Sequence, residues 1–475
     1  MSGCDTGGPS QYTRPLDRLG IPLAWEHAPS HVVDRDEILV DRLAVTKALT
    51  AVTPDHPELL AARTRGIPAT SVQQLIADAA ATRGQALVGI AGTHGKSTTT
   101  GWVLHLLVEA GLDPSGFVGA LLPSALVGGI DASTVRVGAG RHFVVEADEY
   151  AGNFDAYRPE VGGLTNADWD HPDVFADRAA VVAVFAAWVR SFDGGGEAPV
   201  LVANVGDAGV REVLADLRGW PGRLLVVAIV EDREDPGAVC TSLQRMHVTA
   251  TGPAQALAAR WSHTAGEGSL EIVGLDPRAP VTARLALPGR HNAENGLVGA
   301  GVALAAGADP AAIARGLASF AGVERRLELK GDVGGIVVLD DYAHHPTAMA
   351  ATFAAVRERY PGRRLWAVYE PLTYHRTAAM LGEFAVALGE ADRVVIAQIH
   401  AGRDPDTTIT SARELADAVA RRGRTPAWAP GTVEETADWL AEQVEPGDVV
   451  LVMGGGRSYV IAERLMALLE GRGAV

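Results

Sequence analysis

Cysteine and lysine are scarce in this 475-residue chain, and long apolar runs are missing. The two cysteines, Cys4 and Cys240, lie far apart and lack metal-ligand spacing, which argues against a disulfide framework and against a zinc site. No run of 18 or more apolar residues occurs, and the N-terminus lacks the basic-then-apolar pattern of a signal peptide. The sequence therefore predicts a cytosolic protein without a membrane partner.

Positive charge is also in deficit. The formal net charge is −17 at pH 7, and a nucleic-acid-binding protein needs a basic face, so the balance argues against that class of partner. An enzyme for anionic nucleotides can still be acidic overall if its basic groups are local. Hydrophobic residues at 47% and charged residues at 21% are ordinary for a globular protein. The length predicts two or three domains.

The clearest motif runs from Val88 to Thr100 and reads as an apolar strand, a glycine-rich turn and a Lys-Ser pair that opens a helix. Glycines let backbone N–H groups turn toward an anion, the helix N-terminus adds partial positive charge, and the lysine reaches the phosphates. Lys96 is one of three lysines, with Lys47 and Lys330, among 41 basic residues. This scarcity favours a phosphate cradle over a tight turn with an exposed lysine. The motif predicts a nucleoside triphosphate site, with the next hydroxyl placed to bind Mg²⁺.

Short apolar runs alternate with helical stretches from about residue 83. They occur at Ala86–Ala91, Phe143–Val145 and Val161–Leu164, and after about residue 322 at Leu365–Tyr369 and Val449–Met453. Short buried strands separated by helices predict parallel sheets with helices on both faces. In open sheets of this kind, ligands bind beyond the carboxyl ends of the strands. The sequence therefore predicts an α/β fold, preceded by about 82 residues of short α/β material.

Polar clusters follow two of these predicted strands. Glu146 and further carboxylates come directly after Phe143–Val145, and a second cluster containing His171 follows Val161–Leu164. Carboxylates at the end of a buried strand cost desolvation energy unless a cation or hydrogen bonds balance them. Beside a phosphate-binding loop the natural cation is the Mg²⁺ of the triphosphate. Each cluster alone is compatible with a solvated turn, but the two together favour a metal site.

Two asparagines open a later helix. In the segment from Pro288 to Asn295, Asn292 and Asn295 are three residues apart and therefore share one helix face. Paired amides on one face are suited to an adenine edge, whereas an asparagine near a helix start is more often an N-cap. The residues alone leave both interpretations open.

Together these motifs resemble those of the Mur ligase family, whose members add amino acids or peptides to cell-wall precursors. The short spacing Gly92-Thr-His-Gly95-Lys96-Ser97, the polar clusters after successive strands and the Gly-x-His-Asn-x-x-Asn element all match family patterns. The resemblance covers essentially the whole chain. It implies three domains: a partial N-terminal Rossmann-like domain for the UDP-sugar at 1–82, a central P-loop ATPase domain at 83–321 and a C-terminal Rossmann-like ligase domain at 322–475.

The resemblance also implies roles for individual residues. ATP binding falls on Gly92, Thr93, His94, Gly95, Lys96, Ser97, Thr98, Asn292, Asn295, Arg326 and Asp341. Binding of two Mg²⁺ ions falls on Ser97, Thr98, Glu146 and His171. Catalytic roles fall on Lys96, Glu146, His171, Arg326, His344 and Arg376, the last expected near the carboxylate of the incoming amino acid. For His344 and its neighbour His345, capping of a strand end is an equally good explanation.

The reaction that the resemblance implies is ATP-dependent ligation of L-alanine to UDP-N-acetylmuramate through an acyl phosphate, in peptidoglycan precursor synthesis. The expected state is a cytoplasmic monomer or weak homodimer. One alternative is the recycling reaction that joins the tripeptide L-Ala-γ-D-Glu-meso-diaminopimelate to the same sugar nucleotide. The acidic segment Glu146–Tyr150 favours recycling, whereas Tyr374–Thr377 favours alanine. The other alternative is a nucleotide-binding paralogue that no longer ligates.

Two departures from the family pattern bear on these expectations. The segment Met1–Asp5 matches a point after the second strand of the family's N-terminal domain, so the first strand and its glycine-rich UDP loop have no counterpart. We expect either a misassigned start codon or a truncated chain. Leu372 stands where the alanine-adding branch usually has a histidine, and a leucine cannot donate a hydrogen bond. The carbamylated lysine of some branches is also excluded here, because residues 172–190 contain no lysine.

Overall fold

The architecture is given by a computed structural model of the chain. It describes all residues except 7, 11, 36, 47, 48, 50–52, 54, 130, 232, 246–253, 265, 266, 403, 405, 424, 474 and 475. Within the described part, a small N-terminal region precedes two sheets that are each flanked by helices. None of the described helices combines the length and the apolar character that a membrane span requires.

The N-terminal region consists of short elements. In chain order they are β1 (Gly3–Cys4), α1 (Arg14–Arg18), β2 (Leu23–Ala24), a 3₁₀ turn (Pro29–His31), β3 (Val33–Asp34), β4 (Glu37–Ile38), β5 (Leu43–Val45), α2 (Pro57–Thr64), β6 (Ala69–Ser71) and α3 (Val72–Thr82). The strands form three separate pairs, β1 with β2 and β5 with β6 in parallel, and β3 with β4 in antiparallel orientation. The apolar cluster between these elements is small, with Val32, Ala62 and Ile67 as its buried members.

The central region contains a ten-stranded sheet. Its elements are β7 (Ala86–Ala91), α4 (Lys96–Glu109), β8 (Ser115–Leu122), α5 (Ser124–Val127), β9 (Ser133–Arg136), β10 (His142–Glu146), a 3₁₀ segment (Tyr150–Ala156), β11 (Val161–Leu164), α6 (Arg178–Arg190), β12 (Val200–Asn204), α7 (Ala208–Asp216), β13 (Arg223–Val230), α8 (Pro236–Leu243), β14 (Gln255–Thr264), β15 (Glu267–Val273), β16 (Val281–Leu285), α9 (Arg290–Ala305) and α10 (Pro310–Ser319). The strand order is β16-β15-β14-β13-β12-β11-β7-β10-β8-β9.

Helices cover both faces of the central sheet. Alternate side chains of a strand point to opposite faces, so Val202 belongs to the apolar cluster that contains Trp102 of α4, whereas Leu201 belongs to the cluster that contains Phe185 of α6. Because both faces are buried, the central strands read in the sequence as continuous apolar runs. This explains why β7 and β11 have the same bounds as the apolar runs that predicted them.

The C-terminal region forms a six-stranded sheet in the order β17-β18-β22-β19-β20-β21. Its elements are β17 (Glu328–Val333), β18 (Ile336–Asp341), α11 (Pro346–Arg359), β19 (Arg364–Glu370), α12 (Tyr374–Ala379), α13 (Leu381–Leu388), β20 (Arg393–Ile396), α14 (Ala412–Arg422), β21 (Ala427–Trp428), α15 (Val433–Gln443), β22 (Asp448–Gly454) and α16 (Ser458–Gly473). All of its pairings are parallel except that of β17 with β18.

The predicted α/β fold is confirmed, but the expectation of purely parallel sheets is wrong at the sheet edges. β9, β15, β16 and β17 pair in antiparallel orientation with their neighbours. The boundaries at residues 82 and 321 stay predictions. They fall between elements, since α3 ends at Thr82 before β7 begins, and α10 ends at Ser319 before β17 begins.

Candidate active site

The glycine-rich loop follows β7, where the strand order of the central sheet reverses, because β10 and β11 flank β7 on opposite sides. Glu146 of β10 is in register with Ile90, and Leu164 of β11 is in register with Ala91. The carboxyl ends of the three strands therefore lie side by side. Such a reversal opens a crevice at the sheet edge, which is where open α/β sheets bind ligands.

Two glycines of this loop leave no room for a side chain. Gly92 and Gly95 have φ angles of 139° and 78°, which only glycine adopts without cost. A Cβ atom on Gly92 would overlap with Thr165 Oγ1, and a Cβ atom on Gly95 would overlap with Asn295 Oδ1. The loop is therefore packed closely against the end of β11 and against α9.

Lys96 begins helix α4 and folds back over the loop. Its Nζ donates hydrogen bonds to Gly92 O at 2.8 Å, Thr93 O at 3.2 Å and Glu149 Oε2 at 2.9 Å, and Asp148 Oδ1 lies 3.6 Å away. Burial lowers the pKa of Lys96, but the neighbouring carboxylates outweigh burial and raise the pKa above its usual range. Burial raises the pKa of Glu149 to about 7, although Lys96 opposes that shift. The ammonium group of Lys96 is therefore a cation held in place beside the carboxyl groups of Asp148 and Glu149.

Ser97 and Thr98, both predicted metal ligands, point to different places. The Ser97 hydroxyl donates a hydrogen bond to Glu146 Oε1 at 3.0 Å, and the Gly119 N–H donates to Glu146 Oε2 at 2.7 Å. Thr98 is buried and lines a separate pocket that does not contain Glu146. The structure therefore brings Ser97 and Glu146 together as one potential ligand pair.

A second set of potential metal ligands surrounds His171. The ligand atoms of His171, Asp148 and Glu149 all lie within 4.8 Å of one another. Burial lowers the pKa of His171, with Arg376 adding to that effect, so the imidazole is neutral near pH 7. Asp148 and Glu149 were missing from the predicted site residues. The acidic run that follows Glu146 in the sequence was the signal, but it did not show which carboxylates turn inward.

Arg376 is buried at the junction of the two sheets. Its Nη2 lies 2.7 Å from Asp170 Oδ1 and donates a hydrogen bond to His171 Nδ1 at 3.1 Å. Burial favours the neutral form of Asp170, but Arg376 outweighs burial and holds the pKa of that carboxyl well below its usual range. The Arg376 Nε is buried and has no hydrogen-bond partner among the described residues. The Nε–H group of Arg376 is therefore a donor that none of the described residues uses.

The two adjacent arginines before β17 have different surroundings. Arg326 reaches the phosphate-binding loop, where its Nη2 donates to Ser97 Oγ at 3.2 Å. Arg325 stays within the C-terminal region, since its Nε donates to Asp340 Oδ2 at 3.1 Å and its Nη2 donates to Ser458 Oγ at 2.7 Å. This separation agrees with the choice of Arg326 as the predicted site residue.

His344 and His345 also differ. His345 caps helix α11, because its Nδ1 accepts from the Thr347 N–H at 3.3 Å, and its Nε2 lies 3.1 Å from Trp169 O of the central region. The Nδ1 of His344 lies 2.9 Å from Tyr342 O, which places the ring proton on Nδ1. Burial, with Arg376 as a further cause, holds the pKa of His344 well below its usual range. His345 thus caps the start of a helix rather than the end of a strand, whereas His344 has a neutral ring with an acceptor nitrogen.

Asn292 and Asn295 lie on one face of α9, as their spacing predicts, and their role at an adenine stays a prediction. The N-cap of α9 is Gly289, so capping by Asn292 is wrong, and the Asn292 Nδ2 instead donates to Pro288 O at 2.7 Å. Asn292 and Asn295 are both buried and line the same pocket. Asp341 lines it too, and its two carboxylate oxygens each accept a backbone N–H at 2.7 Å.

Two pockets meet at the phosphate-binding loop. The first, of about 290 Å³, is lined by Thr98, Asn292, Asn295 and Asp341 among others. The second, of about 400 Å³, is lined by Thr93, Lys96, Ser97, Glu146, His171, His344 and Arg376 among others. Both pockets include His94, Gly95 and Arg326 in their walls. Of the predicted site residues, only Gly92 lines neither pocket, and it takes part through its carbonyl contact with Lys96.

Comparison with known proteins gives matches over nearly the whole chain. Residues 90–303 match the Mur ligase middle domain, and residues 325–456 match the Mur ligase glutamate ligase domain. A Kineococcus radiotolerans protein named UDP-N-acetylmuramate–L-alanine ligase is 36% identical over 99% of this chain and 91% of its own length. The chain belongs to the Mur ligase family. A Mycolicibacterium vanbaalenii protein of the same name is 35% identical over 96% of this chain and 88% of its own length.

Solved structures show the same fold. The crystal structure of UDP-N-acetylmuramate-alanine ligase from Thermotoga maritima matches with a TM-score of 0.74 at 20% identity, covering 99% of both chains. A murein peptide ligase from Psychrobacter arcticus matches with a TM-score of 0.68 at 22% identity, covering 98% of this chain and 93% of that one. Membership in the Mur ligase family implies that this protein uses ATP.

We predict that Gly95→Ala weakens ATP binding by at least about tenfold, because the added methyl group overlaps with Asn295 and displaces the loop on which the phosphates depend. Isothermal titration calorimetry with ATP measures the effect. Gly111→Ala is the matched control, since Gly111 also has a positive φ but has no atom within 4 Å of the added Cβ. Equal ATP affinity in the two variants would contradict the assigned role of the loop.

We predict that His345 makes the stability of the protein depend on pH. Burial lowers the pKa of His345 to about 4 in the folded protein, against 6.5 for an ordinary histidine. The unfolded chain therefore binds the proton more tightly, so this contribution is complete above about pH 6.5 and is lost as the pH falls toward 4. Urea unfolding from pH 7.5 to pH 4.5 should show a loss that is up to about 3 kcal/mol larger in the native protein than in His345→Asn.

An exposed side chain without a titratable group provides the control for this measurement. Val386→Ala should keep the full pH dependence of the native protein, because Val386 is 49% exposed and binds no proton. A native-like pH dependence in His345→Asn would show that His345 does not titrate in the way its burial requires.

Proposed function

We propose that this chain is an ATP-dependent ligase that joins L-alanine to UDP-N-acetylmuramate. The observation that carries the proposal is the similarity, at about one third identity over nearly the full length, to two bacterial proteins that bear this name. The adjacency of the two pockets supports it, because a ligase of this kind must bring a nucleotide and an acceptor to a shared wall. UDP-N-acetylmuramate and L-alanine are accordingly the proposed substrates, and a cytoplasmic monomer or weak homodimer remains the expected state.

The first pocket suits ATP. Asn292 and Asn295 present their side chains along one wall, and Asp341 lies on another. The loop from Gly92 to Thr98 provides backbone groups for binding phosphates. Lys96 and Arg326 are cations that contact this loop. We assign the adenine to the asparagine face and the triphosphate to the loop.

The polar side chains around Glu146 and His171 suit Mg²⁺. Carboxylate and hydroxyl oxygens are the ligands that Mg²⁺ prefers, and the pair Ser97 and Glu146 offers both. We assign a second ion to the set around His171 and Asp148. When bound, Mg²⁺ neutralises charge on the phosphoryl group that is transferred. Thr98 faces the other pocket, so we place it beside the nucleotide; its predicted role as a metal ligand stays a prediction.

Arg376 and a metal ion would compete for the Nδ1 atom of His171. The Nδ1 of His171 accepts a hydrogen bond from Arg376, so a metal ion at that atom requires the guanidinium to release it. Release leaves Arg376 paired with Asp170 and frees a donor for another anion. We assign that anion as the carboxylate of L-alanine, because Arg376, a residue of α12, lines the second pocket.

In the proposed reaction, the terminal phosphoryl group of ATP passes to the lactyl carboxylate of the sugar nucleotide. The amine of alanine then attacks the acyl carbon of this acyl phosphate, and phosphate leaves. The attacking amine must lose a proton, and we assign its acceptance to the Nε2 of His344, a neutral imidazole that lines the second pocket. Lys96 and Arg326 stabilise the charge that builds up on the phosphoryl oxygens. We infer that closure of the C-terminal region over the loop would exclude water, which would otherwise hydrolyse the acyl phosphate.

The experiment that tests the proposal offers two acceptors to the full chain, with UDP-N-acetylmuramate, ATP and Mg²⁺ present. We expect phosphate release and amide formation with L-alanine in preference to L-Ala-γ-D-Glu-meso-diaminopimelate, with mass spectrometry identifying the product. A product with the tripeptide alone would assign the chain to the recycling reaction. ATP binding without either product would instead support a non-ligating paralogue.

We predict that Arg376→Ala raises the KM for alanine roughly 30-fold or more, because the loss of a buried charge-assisted contact costs about 2–5 kcal/mol. The KM for UDP-N-acetylmuramate should change much less. The substitution also leaves the buried Asp170 without its cation, so the double variant Arg376→Ala with Asp170→Asn is measured beside it. If the double variant recovers the native KM for alanine, Arg376 serves only to neutralise Asp170. Arg357→Ala, which breaks the more exposed pair with Asp392, is the control.

A further inference from the structure

Five side chains with metal-binding atoms converge in the N-terminal region, away from both pockets of the active site. They are Cys4, His27, His31, His56 and Glu58. The Cys4 thiol lies 3.1 Å from each carboxylate oxygen of Glu58 and 3.3 Å from the Nδ1 of His27. The Nδ1 of His31 lies 2.8 Å from Glu58 Oε1. Glu58 is buried at the centre of the cluster.

His56 is the member that hydrogen bonding does not explain. Its side chain is 5% exposed, and neither ring nitrogen has a hydrogen-bond partner among the described residues. His56 stands at the N-cap position of α2, yet its side chain makes no capping hydrogen bond. The ring lies edge-on to His27, with 4.5 Å between the ring centroids. Buried polar groups almost always have a partner, so two unsatisfied ring nitrogens beside a buried carboxylate point to a missing ligand.

The distances and the donor types fit a metal ion. The ligand atoms of Cys4, His31 and Glu58 lie within 4.8 Å of one another, and so do those of His27, His56 and Glu58. The two sets share Glu58. Sulfur, imidazole nitrogen and a carboxylate oxygen together are the ligands of Zn²⁺, whereas Mg²⁺ and Ca²⁺ prefer oxygen alone.

We propose that Cys4, His31 and Glu58, together with the unpartnered His56, bind a structural Zn²⁺ ion in the N-terminal region. On binding, the Cys4 thiol gives up its proton to solvent and coordinates as the thiolate. The proposal does not depend on the ligase reaction, because none of these residues lines either pocket of the active site. The cluster lines a separate pocket of about 1130 Å³, which gives an ion a route to the site.

The fold gives a physical reason for such a site. The ligands come from β1, from the 3₁₀ turn Pro29–His31 and from the start of α2, so one ion cross-links three segments. Among the described residues of this region the apolar cluster is small, and a region with a small core needs additional cross-links for stability. The sequence argued against a zinc site because the cysteines lack metal-ligand spacing, but only one of the ligands here is a cysteine and the others are up to 54 residues away.

The test uses the full chain without a histidine tag, freed of metal and then titrated with Zn²⁺ and with Co²⁺ in excess Mg²⁺. We expect one Zn²⁺ per chain by mass spectrometry, and a thiolate-to-cobalt charge-transfer band with the intense visible bands of tetrahedral Co²⁺. Cys4→Ser should abolish the thiolate band and weaken Zn²⁺ binding by at least about tenfold, since even changes to residues that only orient a ligand cost 10–100-fold. Chelation of the metal should lower the Tm of the native chain but not that of Cys4→Ser.

Matched variants keep the outcome interpretable. Cys240→Ser should retain the thiolate band, because Cys240 is buried beside Ala256 and is not part of the cluster. If Cys4→Ser fails to fold by circular dichroism, His56→Gln replaces it, and we expect the same loss of Zn²⁺ affinity with the thiolate band altered or lost. Absence of the thiolate band in the native chain, its persistence in Cys4→Ser, or native Zn²⁺ affinity in both variants would overturn the proposal.

Discussion

A buried ion pair between Arg376 and Asp170 joins the C-terminal sheet to the central sheet, and the rest of the site is arranged around that junction. Both side chains are almost fully buried, so each charge is stable only because the other is present. Hydrogen bonds strengthen the junction on either side. Thr347 Oγ1 donates to Asp168 Oδ2 at 2.9 Å, and His345 contacts a backbone carbonyl of the central region. The two regions are thus held together by polar groups rather than by a continuous apolar core.

The balance of charges at this junction is suited to ligand binding as well as to contact between the two regions. Glu146, Asp148 and Glu149 crowd the end of one buried strand, where Lys96 contacts Glu149 and Arg326 contacts Ser97. Carboxylates in excess at a partly buried edge favour additional positive charge, which is the condition for binding divalent metal ions. A triphosphate brings the opposite charge, so the nucleotide and its metal ions are expected to bind together. The charge of the nucleotide is balanced by the metal ions, and the charge of the metal ions is balanced by the nucleotide and the carboxylates.

The sequence was most informative where a residue's role depends on its own neighbours in the chain. Apolar runs predicted the bounds of β7 and β11, and the position of Glu146 at the end of β10 located the edge of the site. It was least informative where a role depends on side-chain direction or on distant segments. The prediction could not separate Ser97 from Thr98, because adjacent residues at a helix start point to different pockets. The convergence of the N-terminal histidines on Glu58 is likewise set by tertiary contacts. The antiparallel pairs, by contrast, join consecutive strands, as β17 and β18 do through Gly334 and Gly335.

The polar junction described above has a consequence for inactivation by heat. The residues that join the two sheets are largely those that line the second pocket, so separation of the sheets destroys the pocket while each sheet keeps its own apolar core. Such separation exposes charges to water and little apolar surface, so it has a smaller heat-capacity change than global unfolding. Loss of activity on warming should therefore precede the main calorimetric transition, and a compact, folded but inactive form should exist between the two.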